Sequence, residues 1–317
     1  MRTLVFTDLD GTLLDESYSW RGAKPALAEL PRRGVPLILC TSKTRAEVQE
    51  LRRRLGVRDP YSVENGGLVV VPRSSVCGKL VGDASGRDRV FQLGKSYPEI
   101  LEAVRGLTRV SGVSIRAFHQ MSAAELARAT GLTQRQARLA QQREASEPFR
   151  FRNATTRQIR RFVRLAAEQG FLVQRGGTFW HLSAGTDKGL AVRFLTTLYQ
   201  LAWRSPVRTI ALGDAPNDVP MLAAADVAIL LASPTGRFDT SVARSVPHLR
   251  KVGGRTPDAW SRAVLLALQN TVDNPSARAT TGSGTSPVAG PKRGRSPRLP
   301  RLPQARAQFP RKIMKRA

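Results

Sequence analysis

Cysteine, histidine and acid are all scarce in this 317-residue chain. The only two cysteines, Cys40 and Cys77, make no metal-type spacing. Their number fits a reduced, cytoplasmic setting, and no signal-peptide layout precedes the strand-like Leu4-Val5-Phe6. No run of eighteen apolar residues exists, which excludes an ordinary transmembrane helix. Two of the three histidines, His119 and His181, read as packed or surface residues and not as catalysts.

Acid is outnumbered by base, 24 residues against 51, for a formal charge of +27. Such a balance invites a nucleic-acid reading. Arginine dominates lysine, however, and alanine, glycine and proline are abundant beside it. That pattern has the look of a GC-rich coding bias. The charge is also uneven, because residues 273–317 carry many Lys and Arg against the single acid Asp273. This segment is rich in proline and has little to bury, so it reads as a disordered basic tail. It suits at most a weak electrostatic contact with nucleic acid or anionic lipid.

Apolar content of 41% is ordinary for a globular chain. Strand-like and helix-like segments alternate through most of it. Residues 2–8, 35–41, 207–214 and 227–232 read as apolar strands, and 24–34, 45–56, 189–203 and 257–270 as helices. Continuous apolar strands between helices imply a parallel sheet covered on both faces, with its active site at the carboxyl ends of the strands. Residues 84–185 differ: helix-like stretches at 98–107, 122–131, 133–144 and 155–170 accompany strand-like 113–118, 148–152, 171–175 and 178–183. That is an α+β insert within an α/β domain.

Chemistry gathers at the strand ends. "FTDLDGTLLD" places Asp8 and Asp10 two apart, with Gly11 and Thr12 behind. On a continuing strand both carboxylates would share one face. Two carboxylates held together repel, and a divalent cation removes that cost. "LGDAPND" ends another strand with Asp214 and Asp218. Asp214 can join Asp8 on one Mg²⁺, a hard ion that takes oxygen ligands. Asp218 also reads as the N-cap of the next helix. "LCTSKT" offers the Thr41 and Ser42 hydroxyls to a phosphate oxygen, although Ser42 equally reads as an N-cap. In "GTDKGLAV", Lys188 stands in the first helical turn, where the dipole disfavours a cation but favours an anion the lysine could help hold.

These four strings, in this order, resemble the haloacid dehalogenase-like phosphatases over about residues 1–272. "LCTSKT", "VENGG", "QREASEPF" and "RGGTFWHLS" further resemble the mannosyl-3-phosphoglycerate phosphatase family, which makes the osmolyte mannosylglycerate. The resemblance implies a Rossmann-like parallel-sheet core in two parts, 1–83 and 186–272. It implies an α+β cap over 84–185, and it leaves the tail, 273–317, unexplained.

The resemblance also implies roles. Asp8 is the nucleophile that forms an aspartyl-phosphate, and Asp10 the general acid and base. Mg²⁺ is held by Asp8, the Asp10 backbone carbonyl and Asp214. Lys188 and Thr41 or Ser42 offset phosphoryl charge, with Asn217 and Asp218 in support. In the insert, Arg143 suits a glycerate carboxylate, while Glu144, Ser146 and Glu147 suit sugar hydroxyls. Arg143 and Glu144 also read as a solvated helix end, and Phe179 or Trp180 as a sugar-facing ring or a core aromatic. The expected substrate is a small phosphorylated sugar-glycerate. The alternatives are another sugar-phosphate phosphatase, a phosphomutase on the same residues, or a nucleic-acid binder acting through the tail.

Overall fold

Strand-forming residues fall in twelve segments of the described chain: β1 (Arg2–Thr7), β2 (Leu37–Cys40), β3 (Tyr61–Val63), β4 (Leu68–Val71), β5 (Arg89–Gln92), β6 (Ser114–Ala117), β7 (Ser146–Arg152), β8 (Leu172–Arg175), β9 (Trp180–Ser183), β10 (Val207–Gly213), β11 (Val227–Leu231) and β12 (Arg250–Val252). The structure is a computed structural model and describes residues 1–81, 88–176 and 178–269. The expected disordered tail, 273–317, lies outside the described residues. Residues Met1–Ala267 form one compact unit; of the second, Leu268–Ala317, only Leu268 and Gln269 at a helix end are described.

The large sheet has the order β12–β11–β10–β1–β2–β3–β4–β5. All neighbours from β12 to β3 are parallel, while β4 runs antiparallel to both β3 and β5. Leu4, Val5, Phe6 and every residue of β2 and β11 are buried. Burial on both faces explains why these strands read as unbroken apolar runs. Each large side chain so buried contributes about 1.5–3 kcal/mol. The free thiols Cys40 and Cys77 are part of this interior, and burial pushes each up to about 12.

Helix ends follow local chemistry. Thr44 caps the helix Arg45–Leu55 by accepting from the Glu47 N–H, and Glu47 closes a capping box; Gly56 ends the helix at φ +71°. Ser42 is therefore not the cap. At the far end of the chain, Trp260 Nε1 donates to Thr7 Oγ1 at 2.9 Å, and Thr7 Oγ1 donates to the Asp8 carbonyl at 2.8 Å. The helix Asp258–Gln269 thus fixes the end of β1, where Asp8 stands.

The second sheet has the order β6–β7–β9–β8 and is antiparallel throughout. The helices Tyr97–Ser111 and Thr156–Glu168 cover one face, burying Ile100, Leu107, Phe149, Phe162 and Leu182 together. A separate cluster joins Phe118 and Phe179 to the helices Ala123–Thr130 and Gln134–Ala140. Phe179 is therefore a core aromatic. Trp180 packs edge-on against Phe151, on the helix side of the sheet. The insert was expected to begin at 84, but β5 pairs with β4 in the large sheet. The chain leaves that sheet only after Gln92.

Candidate active site

β1 and β10 are parallel neighbours, with Thr7 opposite Leu212, so Asp8 and Asp214 leave the sheet at the same carboxyl edge. The Asp8 N–H donates to the Leu212 carbonyl at 3.0 Å. β1 stops at Thr7, and the chain turns back at Gly11, which adopts φ +79°. A Cβ on Gly11 would lie 2.6 Å from Asp214 Oδ2, so the close approach also requires glycine. Thr12 Oγ1 donates to Asp214 Oδ1 at 2.6 Å.

Lys188 opens the helix Lys188–Trp203, whose N-cap Asp187 accepts from the Leu190 N–H at 2.7 Å. Its side chain is fully buried. The Nζ donates to Asp8 Oδ1 at 2.5 Å and to Asp218 Oδ1 at 2.6 Å. Burial lowers the lysine's pKa, but Asp218 and Asp8 outweigh that, so it is raised and Lys188 stays charged. A merely solvated lysine is excluded. Asp218 uses its second oxygen to accept from the backbone N–H groups of Asp214 and Ala215, at 2.9 and 3.0 Å. It precedes the helix Val219–Ala223 but does not cap it with its side chain.

Oxygens of Asp8, Asp214 and Asp218 lie within 4.8 Å of one another. Burial is the first cause that raises the Asp8 carboxyl well above its usual range, with the Asp218, Asp214 and Asp10 charges adding to it; Lys188 opposes. Burial and Asp218 push Asp214 up to about 7. Three carboxylates face one ammonium, a formal excess of two negative charges that the raised Asp8 and Asp214 relieve by holding protons until a cation replaces them. All-oxygen donors with that excess fit a hard divalent cation. Asp218 already serves Lys188 and two amides, so Asp8 and Asp214 are the carboxylates that remain for an ion.

Asp10 does not share the Asp8 face as expected, because the strand ends before it. Its carboxylate is 45% exposed and pairs with Lys43 Nζ at 2.9 Å. Lys43 also lies over the Tyr18 ring and 3.9 Å from Glu47. Burial lowers the Lys43 pKa, but Asp10 and Glu47 reverse this and hold it raised. Thr41 is buried beside the site, its carbonyl accepting from Asn65 N–H and its hydroxyl from Lys43 N–H.

Sequence reasoning singled out "VENGG" for the resemblance but gave the Glu64–Gly67 turn no role. Glu64 and Asn65 adopt φ of +52° and +54°, and a Cβ on Gly66 would meet the Asp187 carbonyl. Asn65 accepts from Asn217 Nδ2 at 3.2 Å, which places Asn217 as a support for this turn, and among the described residues Asn65 Nδ2 itself has no partner. Glu64 is fully buried and accepts from Glu144 N–H, Ala145 N–H and Ser146 Oγ at 2.8, 3.0 and 2.8 Å. The available signal was an acid directly after an apolar strand, followed by Asn-Gly-Gly.

The residues proposed to read the sugar are largely engaged by protein groups. Arg143 donates to the Ser42 carbonyl at 2.8 Å and to Ser146 Oγ at 3.3 Å, and lies 3.8 Å from Glu64. It is buried, not a solvated helix end. Glu144 forms a two-pronged pair with Arg45, at 2.9 and 3.0 Å. Glu147 is fully buried and accepts from Tyr97 Oη at 2.5 Å and from the His119 N–H at 3.1 Å, with His119 Nδ1 at 3.0 Å. Fully buried and with both oxygens already bonded to protein, Glu147 is not exposed to a sugar. Glu144 and Ser146 likewise meet protein first, because this stretch closes onto the large sheet's Glu64 turn.

Asp8, the buried Lys188 and the paired Asp214 and Asp218 at the carboxyl edge of a parallel sheet define a class, and comparison with known proteins agrees. The sequence pattern of the haloacid dehalogenase-like hydrolases matches residues 5–81 and 155–237. The chain belongs to that family. It is 37% identical over 271 residues to the glucosyl-3-phosphoglycerate/mannosyl-3-phosphoglycerate phosphatase of Methanococcoides burtonii, a match covering 84% of this chain and 97% of that one. A Persephonella marina protein of the same name is 34% identical, covering 82% and 95%. Among solved structures, a haloacid dehalogenase-like hydrolase from Bacteroides thetaiotaomicron superposes with a TM-score of 0.57 at 16% identity, covering 84% of this chain and all of that one. A subclass IIB sugar phosphatase gives 0.56 at 15% identity, covering 86% and 99%.

Proposed function

We propose that this protein is a Mg²⁺-dependent phosphatase that removes phosphate from a glycosyl-3-phosphoglycerate through an aspartyl-phosphate. The observation that carries the substrate class is the match, over 84% and 82% of this chain, to relatives named for glucosyl- and mannosyl-3-phosphoglycerate. The buried Asp8–Lys188–Asp218 chain supports the chemistry. A charged metabolite as substrate fits a cytoplasmic setting, and no helix among the described residues is long and apolar enough to cross a membrane.

Asp8 attacks phosphorus, and the bond from phosphorus to the leaving alcohol breaks. Asp10, turned from Lys43 toward the substrate, gives that alcohol its proton. It then takes a proton from the water that attacks the aspartyl-phosphate, freeing Asp8 and inorganic phosphate. Lys188 orients Asp8 and offsets phosphoryl charge, and Asp218 holds the lysine in place. Thr41 and Ser42 receive the phosphate oxygens. A bound Mg²⁺ would be held by Asp8, the Asp10 carbonyl and Asp214, and would supply neutralisation of phosphate charge.

The test is phosphate release over a panel of phosphorylated sugars and phosphoglycerates. Release should be fastest from glucosyl- or mannosyl-3-phosphoglycerate. Phosphoryl return to the sugar without net release would make the protein a mutase, and an inert Asp8 would remove the mechanism.

A further inference from the structure

The second sheet carries unpaired polar atoms on the face turned away from its main helices. Val173, Trp180 and Leu182 join the apolar cluster of Phe149 and Phe162. Side chains alternate along a strand, so Gln174 and His181 project from the opposite face. The two are direct partners across β8 and β9, which sets their side chains next to each other. β8 in turn packs against the Pro216–Asp218 turn that carries the active-site aspartate. Among the described residues, Gln174 Oε1 and His181 Nδ1 are buried and have no hydrogen-bond partner. His181 is 8% exposed.

A buried polar atom without a partner costs stability, and native chains keep few of them. Two side by side, next to catalytic machinery, point to a ligand that completes them. Burial, with Arg143 and Lys188 adding their charge, pushes His181 down to about 3, so the ring is neutral and presents one donor and one acceptor. Gln174 Oε1 can only accept. A phosphate or carboxylate oxygen is itself only an acceptor and would leave Oε1 unpaired. A hydroxyl donates and accepts, so neighbouring sugar hydroxyls satisfy the carboxamide oxygen and the imidazole together.

We propose that Gln174 and His181 form the subsite that reads the hydroxyls of the substrate's glycosyl group. This rests on the reading of the protein as a sugar-phosphate phosphatase. It assigns sugar recognition to β8 and β9 and relieves Glu144 and Glu147 of that role.

The experiment compares wild type with Gln174→Met and His181→Gln on three substrates: mannosyl-3-phosphoglycerate, 3-phosphoglycerate and p-nitrophenyl phosphate. Gln174→Met should lower kcat/KM on the glycosylated substrate at least about tenfold, as expected for a polar contact left unmade. Its activity on the two sugarless substrates should stay within about twofold. Its Tm should be unchanged or higher, because an unpaired buried oxygen has been removed. His181→Gln should show the same substrate bias. Equal losses on all three substrates, or a lowered Tm with no substrate bias, would overturn the subsite. If wild type prefers a different sugar phosphate, the functional reading fails on substrate, and that sugar phosphate replaces the first substrate. The variants must then show the same bias on it, or the subsite fails too.

Discussion

Thr12 and Asp214 stand 202 positions apart in sequence, yet the Thr12 hydroxyl donates to Asp214 Oδ1 at 2.6 Å. The first strand's turn thus aims the carboxylate at the end of β10. Asp214→Asn should raise the Mg²⁺ concentration needed for half-maximal activity at least about tenfold, as ligand-shell losses do. Thr12→Val should move it in the same direction by less. Full activity in excess chelator would remove the metal assignment.

Asp8 and Asp10 should separate kinetically. Asp8→Asn should abolish phosphoenzyme, because the nucleophile is gone. Asp10→Asn should form it but turn over roughly 10² to 10⁴ more slowly, the usual loss of a general acid or base. Trapped phosphoenzyme from the Asp8 variant would reassign the nucleophile.

Metal-free protein should lose stability as pH rises from about 4 to about 8. Burial raises the folded-state pKa of Asp8 and takes that of Asp214 to about 7, above the unfolded carboxylate value of 3.8. Across that window the folded state binds more protons than the unfolded one, so stability falls with increasing pH. Mg²⁺ should flatten the slope by pairing the carboxylates. Thermal melts at stepped pH, with and without the ion, read this directly, and a slope that Mg²⁺ leaves untouched would separate the carboxylates from the metal.

Glu64 holds the 143–146 stretch against the large sheet. Glu64→Ala leaves two backbone N–H groups, the Ser146 hydroxyl and the Arg143 charge without their acceptor. The cost should be about 3–5 kcal/mol, typical when one member of a buried charged pair is removed. Glu144→Ala, which breaks a pair with more than a third of each side chain exposed, should cost under about 1 kcal/mol. Denaturant melts of the two variants should differ in that order, and similar midpoints would mean that Glu64 holds nothing together.

Much of this was legible in the sequence, for local reasons. Apolar runs buried on both faces gave away β1, β2, β10 and β11, and the carboxylates after β1 and β10 stand together at the sheet's carboxyl edge. Gly56 ended its helix at positive φ, as the 45–56 reading had it, whereas the 98–107 reading stopped a turn short of Gly112. What stayed hidden depends on remote partners. β3 and β12 are three residues long, and β4 and β5 pair antiparallel, which alternating strands and helices did not announce. The second acceptor of the Arg143–Ser146 stretch is Glu64, some eighty positions away, so charges within "QREASEPF" were matched to a sugar when protein groups already answered them. Trp180 and His181 are neighbours in sequence, and only the register of β9 decides which of them faces a core.

The reversal at β4 has a consequence for how such an enzyme can be remodelled. Because β4 runs back and β5 returns, the chain arrives at Gln92 on the same edge of the large sheet that bears Asp8. It comes back to that edge at Asp187, and the two crossings touch, since a Cβ on Gly94 would lie 3.0 Å from Thr186 Cγ2. The chain thus enters and leaves the second sheet at adjacent points, and the Glu64 and Arg45 contacts hold the insert elsewhere. It can be exchanged for another between two adjacent cut points without disturbing a strand that carries the reaction. Such an exchange would separate substrate choice from phosphoryl chemistry if the second sheet alone reads the substrate.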